Sequence, residues 1–277
     1  MQRRMMMMRG YFPLQPPLLQ NELQDSSYRY QEFSPSKGLT PYVACYWTVE
    51  FKLLDHGKLH RIIPDGCVDI IFDLRSTSFS QGAFVTGLMT SYETMSFTRN
   101  YSLFGIRFFA DQVRRFIKYP VSEMNGNRVP LEDLWGSEAK WIVEEVQSVH
   151  DVLDMVEVVE HRLLQQLHRC ENYCDQRLLA SMQYMVASQG MLSVRDLADQ
   201  LNYSERNVRR IFQKELGVSP KELLSIIQFQ SLLQGIYKRD TTTRFTDMAV
   251  QYGYYDQSHF IHHFKRYYGL VPNQVFQ

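Results

Sequence analysis

A tandem repeat near the end of this chain constrains its fold more than any other feature. Two segments, LADQLNY (197–203) and MAVQYGY (248–254), align at an offset of 51 residues, and after one inserted residue the alignment continues at an offset of 52. The matched pairs are Ala198 and Ala249, Asn202 and Gly253, Phe212 and Phe264, Gly217 and Gly269, and Pro220 and Pro272. A small Ala, a turn residue that tolerates positive φ and then a capped helix are typical of a helix-turn-helix unit. The repeat therefore predicts two such units in tandem.

The second helix of each predicted unit carries a polar face that suits DNA. In the first unit Val208, Ile211 and Phe212 keep helical spacing on the core side. The residues expected to reach DNA are Ser204, Arg206, Asn207, Arg209, Arg210 and Gln213 in the first unit, and Gln257, Ser258, Ile261 and His262 in the second. The major groove, about 12 Å wide, admits an α-helix, and Arg and Gln pair with guanine and adenine. Backbone amides near Ser204 and Asp256 are expected to hold phosphates.

A long helix is expected between the two units, over roughly 219–238. At 1.5 Å per residue it would be about 30 Å long. One turn of duplex DNA advances about 34 Å, so such a spacer can place the two reading helices in successive major grooves. A single chain is then expected to read an asymmetric site without dimerising.

The first part of the chain favours strands. Residues 27–110 contain four stretches rich in β-branched and aromatic residues, at 42–51, 59–74, 83–89 and 101–109. Pro64, Asp65 and Gly66 are a turn signal, so 59–74 is predicted to form a hairpin or two strands. Helical spacing follows Ala110 and covers two helices within 137–174. We expect an α+β fold with a boundary between domains near 170–176.

Composition indicates the cellular compartment of the protein more clearly than its biochemical function. The formal net charge is zero, but residues 181–277 hold eleven Lys and Arg against eight Asp and Glu, a charge of +3. Four scattered cysteines and the lack of a secretory signal favour the reducing cytoplasm. The apolar runs of residues 1–20 are broken by Pro13, Pro16 and Pro17 and are too short for a membrane span. Residues 1–26 are interpreted as a disordered leader, and Met5 to Met8 are candidates for the true start.

Three groups of His, Cys and Asp residues raise the alternative of a metal site or an enzyme site. His259 and His263 are four residues apart, but packing is favoured for His259 and a DNA contact for His262 over a metal site. Cys170 and Cys174, with His168, are interpreted as core residues. His60, Asp65 and Asp69 suggest a small enzyme site, yet no triad, phosphate loop or paired-acid pattern accompanies them. No catalytic residue, metal or cofactor is therefore predicted.

Residues 177–277 resemble the DNA-binding domain of AraC/XylS-type transcriptional regulators. The resemblance is carried by LADQLNYSERNVRRIFQKELGVSP and DMAVQYGYYDQSHFIHHFKRYYGLVP. It implies base contacts by Arg206, Arg209 and Arg210 and by Gln257, Ser258 and His262. The family usually has Arg where this chain has His262. It also has Gly where this chain has Asn202, which is a smaller departure.

The first part of the chain is similar to the sensor-like domain that often accompanies such DNA-binding domains. PYVACYWTVE, HRIIPDGCVDIIFDL, FGIRFFADQVRRFI and VPLEDLWG carry this likeness, which implies a β-rich, cupin-like or related barrel followed by helices. Trp47, Arg61, Asp65 and Asp69 are candidate ligand-binding residues, although the Pro-Asp-Gly turn favours a structural role.

The sequence therefore predicts three regions: a leader at 1–26, a β-rich sensor domain with a helical extension at 27–172 and a DNA-binding domain at 173–277. The predicted function is a cytoplasmic, sequence-specific transcription regulator and not an enzyme. Double-stranded DNA is the expected partner, and RNA polymerase, a small-molecule effector and a second copy docking on 137–168 are further candidates; no membrane is expected. The alternatives are an enzyme or a protein-interaction module in the first domain that the C-terminal helices target to DNA.

Overall fold

The computed structural model describes residues 10–20, 23, 25–52, 59–78, 81–96, 99–169, 175–238 and 245–276. After one short helix at Pro16–Leu19, strands occupy the first half of the chain and helices the second, which confirms the α+β fold. The strands are β1 (Tyr28–Phe33), β2 (Val43–Phe51), β3 (Leu59–Ile62), β4 (Cys67–Asp73), β5 (Ala83–Thr86), β6 (Glu93–Ser96), β7 (Tyr101–Phe109) and β8 (Arg128–Pro130). The helices are α1 (Pro16–Leu19), α2 (Leu131–Trp135), α3 (Ser137–Ser148), α4 (Val152–Arg169), α5 (Gln176–Ala187), α6 (Val194–Gln200), α7 (Glu205–Glu215), α8 (Pro220–Tyr237), α9 (Phe245–Gln251), α10 (Gln257–Tyr268) and α11 (Pro272–Val275).

The strands form two antiparallel sheets. The larger sheet has the order β1-β2-β7-β4-β5-β8, and β3 pairs with β6 in the smaller one. The stretch 59–74 is thus two strands in separate sheets and not a hairpin, because β3 pairs with Glu93–Ser96 rather than folding back on β4. Gly66, at φ 68°, is in the left-handed region that the crossing requires.

Apolar side chains cover both faces of the central strands. On one face Tyr46, Phe72 and Phe104 stack with ring centroids about 6 Å apart, at 6.2 and 5.9 Å. On the other face Tyr30 packs on Trp47 at 6.4 Å. Strands covered on both faces need nearly continuous apolar sequence, which is why 42–51 lacks a clear alternation.

The first described residues pack between the sheet and the C-terminal helices. The structure thereby corrects the expectation of a disordered leader for 10–20, since Tyr11 and Leu14 are buried and Pro16–Leu19 is helical. The side chain of Gln230, fully buried in α8, accepts a hydrogen bond from Leu14 N at 2.8 Å and donates to Leu14 O at 3.2 Å and Pro64 O at 2.8 Å. These contacts come from residues far apart in sequence, so local composition gives no sign of them. Residues 1–9 lie outside the described part of the chain.

The later helices surround α8, which is 18 residues and so about 27 Å long. Its residues Leu223, Phe229 and Leu232 are fully buried. Residues 170–174 are not described. They include Cys170, Cys174 and the predicted boundary between the domains, so that boundary stays a prediction. None of the described helices is both long and apolar enough to cross a membrane.

Candidate nucleic-acid interface

Two helix-turn-helix units with matching backbones are present. The first turn joins α6 to α7 and the second joins α9 to α10. At the turn residues φ is 56° for Asn202 and 76° for Gly253. Just after each turn residue a backbone amide donates to a buried alanine: Tyr203 N to Ala198 O, and Tyr254 N to Ala249 O, both at 2.9 Å. The spacing of the repeat therefore corresponds to one backbone conformation that occurs twice.

The ends of the two units also correspond. Phe212 and Phe264 are both fully buried, and Gly217 and Gly269 have φ of 69° and 82°. A proline follows at the first position of the next helix in each unit, which is α8 in the first and α11 in the second. The predicted architecture of two units joined by a long helix is confirmed.

The positive φ at Asn202 gives a stability prediction. Changing Asn202 to Ala is expected to lower the free energy of unfolding by about 1–2 kcal/mol, because a Cβ without a local hydrogen-bonding group disfavours the left-handed conformation. Changing it to Gly is expected to leave stability within about 0.5 kcal/mol of wild type or to raise it. Urea unfolding followed by circular dichroism checks both variants. Equal losses in the two variants would assign the effect to the Asn side chain instead of the backbone.

Helix α7 turns its arginines away from the core. Arg206, Arg209, Arg210 and Gln213 are exposed, whereas Val208, Ile211 and Phe212 are buried. Ser204 is exposed and caps the helix by accepting from Asn207 N at 3.3 Å, and Asn207 is half-buried. The predicted DNA-facing residues of the first unit thus lie on one side of one helix.

The three arginines differ in their local partners. Arg209 is paired with Glu205, one turn earlier, with Nη2 2.8 Å from Oε2. Among the described residues, no carboxylate lies within 4.0 Å of the guanidinium of Arg206 or Arg210. Those two side chains are therefore the ones that can meet a ligand anion or base without first breaking an ion pair.

Helix α10 presents a second polar face. Gln257, Ser258 and His262 are exposed, and Ile261 is half-buried. Asp256 caps the helix, with its Oδ1 accepting from His259 N at 2.7 Å. The capping residue here is charged, whereas the cap of α7 is the neutral Ser204 and the acidic residue of that helix start is Glu205 in the first turn. A carboxylate that accepts from the amides at a helix N-terminus competes with a phosphate for them.

The histidines of α10 are distributed differently from expectation. His259, expected to pack, is exposed, and His263 is the buried one. His263 Nδ1 lies 3.0 Å from the hydroxyl of Tyr254, and its ring meets Tyr267 edge-on at 4.6 Å. Burial, chiefly, lowers the pKa of His263 to about 4, so the ring is neutral near neutral pH. No group of three or more potential metal ligands occurs in the part of the chain that the structure describes.

Three of the four candidate ligand-binding residues of the β-rich domain come together. Trp47 Nε1 donates to Asp69 Oδ1 at 3.2 Å, and Asp69 lies beside Asp65 across the buried guanidinium of Arg107. Arg61 is not part of this group: it lies on β3 in the smaller sheet. The role of Trp47, Arg61, Asp65 and Asp69 as ligand-binding residues stays a prediction.

Arg107, on β7, is the centre of this cluster and was missed. Its Nε lies 3.1 Å from Asp65 Oδ2 and 3.2 Å from Asp69 Oδ1, and its Nη1 lies 3.5 Å from Glu32 Oε1. Only 3 % of its side chain is exposed. The signal that would have found it is a lone arginine inside YSLFGIRFF, an apolar strand in which a charge needs buried partners.

The cluster holds more negative than positive charge. Burial raises the pKa of Asp69, and the neighbouring Asp65 adds to this effect, while Arg107 opposes it. Burial acts to lower the pKa of Arg107, but Asp69 and Asp65 outweigh it and the pKa is raised. The guanidinium therefore stays charged, and burial favours the protonated form of Asp69.

Sequence comparison gives two family matches along the chain. Residues 197–277 match the family described as "Helix-turn-helix domain", and residues 31–130 match "Domain of unknown function (DUF6597)". The first match begins within α6 and covers the rest of both units and α8, and the second covers all of the larger sheet except the beginning of β1.

A curated relative and a solved structure also show similarity. An "Uncharacterized HTH-type transcriptional regulator" of Haemophilus influenzae is 26% identical over 158 residues, which is 52% of this chain and 50% of the relative. The chain thus spans about half the length of that relative. The structure of ToxT from Vibrio cholerae is 14% identical, with 91% of this chain and 98% of that chain covered at a TM-score of 0.41, a likeness too remote to carry an argument.

Proposed function

We propose that residues 197–277, which match the family described as "Helix-turn-helix domain", are a DNA-binding domain of the AraC type, and that the chain is a sequence-specific DNA-binding transcription regulator. Helices α7 and α10 would enter successive major grooves of one duplex. The observation that carries the proposal is the exposed side of α7, where Arg206 and Arg210 have no carboxylate partner among the described residues. The regulator named among its relatives agrees with this assignment.

The two units would read bases unequally. Arg206 and Arg210 are suited to guanine, since each can donate two hydrogen bonds to O6 and N7. On α10, Gln257 suits adenine, and the half-buried Ile261 has a methyl surface that suits thymine. The N-cap of α7 is the neutral Ser204, and the carboxylate of Glu205 in its first turn is paired with Arg209, so this helix start is better placed to bind a phosphate than the start of α10, whose N-cap is Asp256. We therefore propose that the first unit supplies most of the affinity.

The β-rich domain would modulate binding and carry no catalysis of its own. Contacts of that domain with α7 and α8 supply a physical route for such modulation. An effector, RNA polymerase and a second copy are proposed partners; the copy would dock on α3 and α4, where Trp141 and Leu153 are 63% and 65% exposed. Such a protein would act in the cytoplasm.

Selection of bound fragments from random duplex DNA tests the function directly. The proposal expects one enriched asymmetric site with two half-sites about 10 base pairs apart, and an affinity whose logarithm falls linearly with the logarithm of salt concentration. An adaptor that binds acidic proteins would show the salt dependence but enrich no sequence. An enzyme targeted to DNA would enrich a sequence and also alter a substrate, which the regulator would not.

Replacing Arg210 by alanine is expected to weaken binding to the selected site by about 1–3 kcal/mol and to relax base preference in one half-site. The reason is the loss of a bidentate contact to one base pair. Fluorescence anisotropy on the selected duplex and on its single-base variants measures both effects.

Lys118→Ala is the matched control, because Lys118 is an exposed cation of the β-rich domain and its loss changes net charge equally. This variant is expected to bind like wild type at every sequence. If Arg210→Ala weakens binding to all duplexes by one common factor, Arg210 contacts a phosphate and not a base.

A further inference from the structure

The C-terminal end of α7 is hydrogen-bonded to the β-rich domain. Ser122 Oγ donates to Lys214 O at 2.8 Å, and Asn125 Nδ2 donates to Leu216 O at 2.7 Å. The last carbonyls of a helix have no partner within it, so these two bonds satisfy groups that otherwise need water. Glu215, buried in the same turn, pairs with Arg114 of the β-rich domain.

The equivalent end of α10 touches the same domain. A Cβ at Gly269 would lie 2.6 Å from the ring of Tyr92, and a Cβ at Gly217 would lie 2.6 Å from Asn125 Nδ2. Gly217 and Gly269 occupy matching positions of the two units. The β-rich domain therefore approaches both reading helices at the same place, and glycine is the residue that permits the approach.

One connection of the β-rich domain links the two contacts. Tyr92 lies in the segment between β5 and β6, as does Leu88, whose backbone amide donates to Asn125 Oδ1 at 2.8 Å. The Asn125 side chain thus joins this segment to α7, while Tyr92 joins it to the end of α10. A continuous path of described contacts runs from one unit to the other without passing through α8.

From this arrangement we propose that Tyr92, Ser122 and Asn125 form a bracket that fixes the spacing and angle between α7 and α10, and so sets which half-site spacing the protein accepts. They are positioning residues and do not touch DNA. Helix α8 alone fixes a length, whereas two separate connections between the units also fix an angle. The bracket contacts the C-terminal ends of α7 and α10 and leaves Arg206, Arg209 and Arg210 exposed, so it does not cover the side of α7 that would face DNA.

The inference rests on the proposed DNA-binding function and is tested on half-site spacing. Inserting one base pair between the half-sites rotates the second by about 34°. Wild-type protein is expected to lose about 10- to 100-fold in affinity on such a duplex, the effect of losing one or two base contacts. For the full-length variant Tyr92→Ala/Asn125→Ala, the same insertion is expected to reduce affinity by a factor at least about tenfold smaller than for wild type.

The matched control is Tyr119→Ala/Gln81→Ala, which removes an exposed tyrosine and an exposed amide side chain of the same domain outside the bracket. It is expected to keep the wild-type spacing preference. Both double variants are first checked by thermal unfolding, and if the bracket variant does not fold, Tyr92→Ala alone carries the test, since Tyr92 is 37% exposed.

The outcomes separate the two proposals. A bracket variant that discriminates between spacings as strongly as wild type, or that loses affinity equally at all spacings, overturns the bracket and leaves DNA recognition intact. Wild-type protein that tolerates the insertion also overturns it. Wild-type protein that enriches no sequence from random DNA overturns the proposed function itself, and the bracket with it.

Discussion

An Arg107→Met variant is expected to be less stable to unfolding than wild type by about 3–5 kcal/mol, because removing one partner of a buried ion pair leaves the others buried and uncompensated. Arg107 lies among Glu32, Asp65 and Asp69, with the nearest carboxylate oxygen 3.1 Å from its Nε. Methionine has a similar length, so loss of volume contributes little. Urea unfolding followed by tryptophan fluorescence measures the change.

The loss of stability in Arg107→Met is expected to depend on pH. Burial raises the pKa of Asp69 above 3.8, so the folded state binds this proton more tightly than the unfolded chain does, and folding is disfavoured as pH rises and Asp69 ionises. Without Arg107 the pKa rises further. The deficit of Arg107→Met is therefore expected to be larger at about pH 8 than at about pH 5.

Arg99→Met is the matched control, because Arg99 is 68% exposed and pairs with Asp73 at the surface at 3.5 Å. Its expected loss is below about 1 kcal/mol and nearly independent of pH over this range. A loss in Arg107→Met as small as that of the control, or one that does not change with pH, would contradict the assignment of Arg107 as the counterion of the cluster.

A Gln230→Met variant is expected to lose about 2–4 kcal/mol of stability, since it leaves the amide and carbonyl of Leu14 and the carbonyl of Pro64 buried without this partner. Methionine fills a similar volume but offers no donor or acceptor of comparable strength. The change is also expected to release residues 10–20 from α8. Limited proteolysis, with cleavage sites identified by mass spectrometry, should then show earlier cutting in that segment.

Gln183→Met provides the comparison, because Gln183 is exposed on α5 and its replacement is expected to change stability by less than about 0.5 kcal/mol. Wild-type proteolysis kinetics in Gln230→Met would show that residues 10–20 are held by other contacts. One such contact is the bond from Gln234 to Phe12 O, the next in line along α8.

The helical part of the fold was predictable because its signals are local. The turn positions Asn202 and Gly253, the caps Ser204 and Asp256, and the apolar spacing of α7 lie within a few residues of the structure they specify. The exposed arginine face followed from that spacing. What those arginines bind was supported by chemistry and resemblance, and it stays a prediction.

The unpredicted features depend on residues distant in sequence. Arg107 meets Asp69 and Glu32 from 38 and 75 residues away. Whether a lone arginine in a strand is buried cannot be decided from its neighbours alone. The proline-rich start resembled a leader because its burial depends on α8, more than 200 residues later. His259 was expected to pack and is exposed, although its ring lies 5.7 Å from that of Tyr254. His263 lies on the buried face of α10 with Phe260 and Phe264.

The bond between Leu14 and Gln230 joins residues 216 positions apart, which bears on how the protein is made. Ribosomes add roughly 5–20 residues per second, so the start of the chain emerges about 10–40 s before α8 can receive it. During that interval Tyr11 gains its partner Asp65 O in the β-rich domain early, but Leu14 lacks its partner on α8 and remains available to chaperones or to neighbouring nascent chains. The packing of the residues around Leu14 is therefore completed only after α8 has been synthesised.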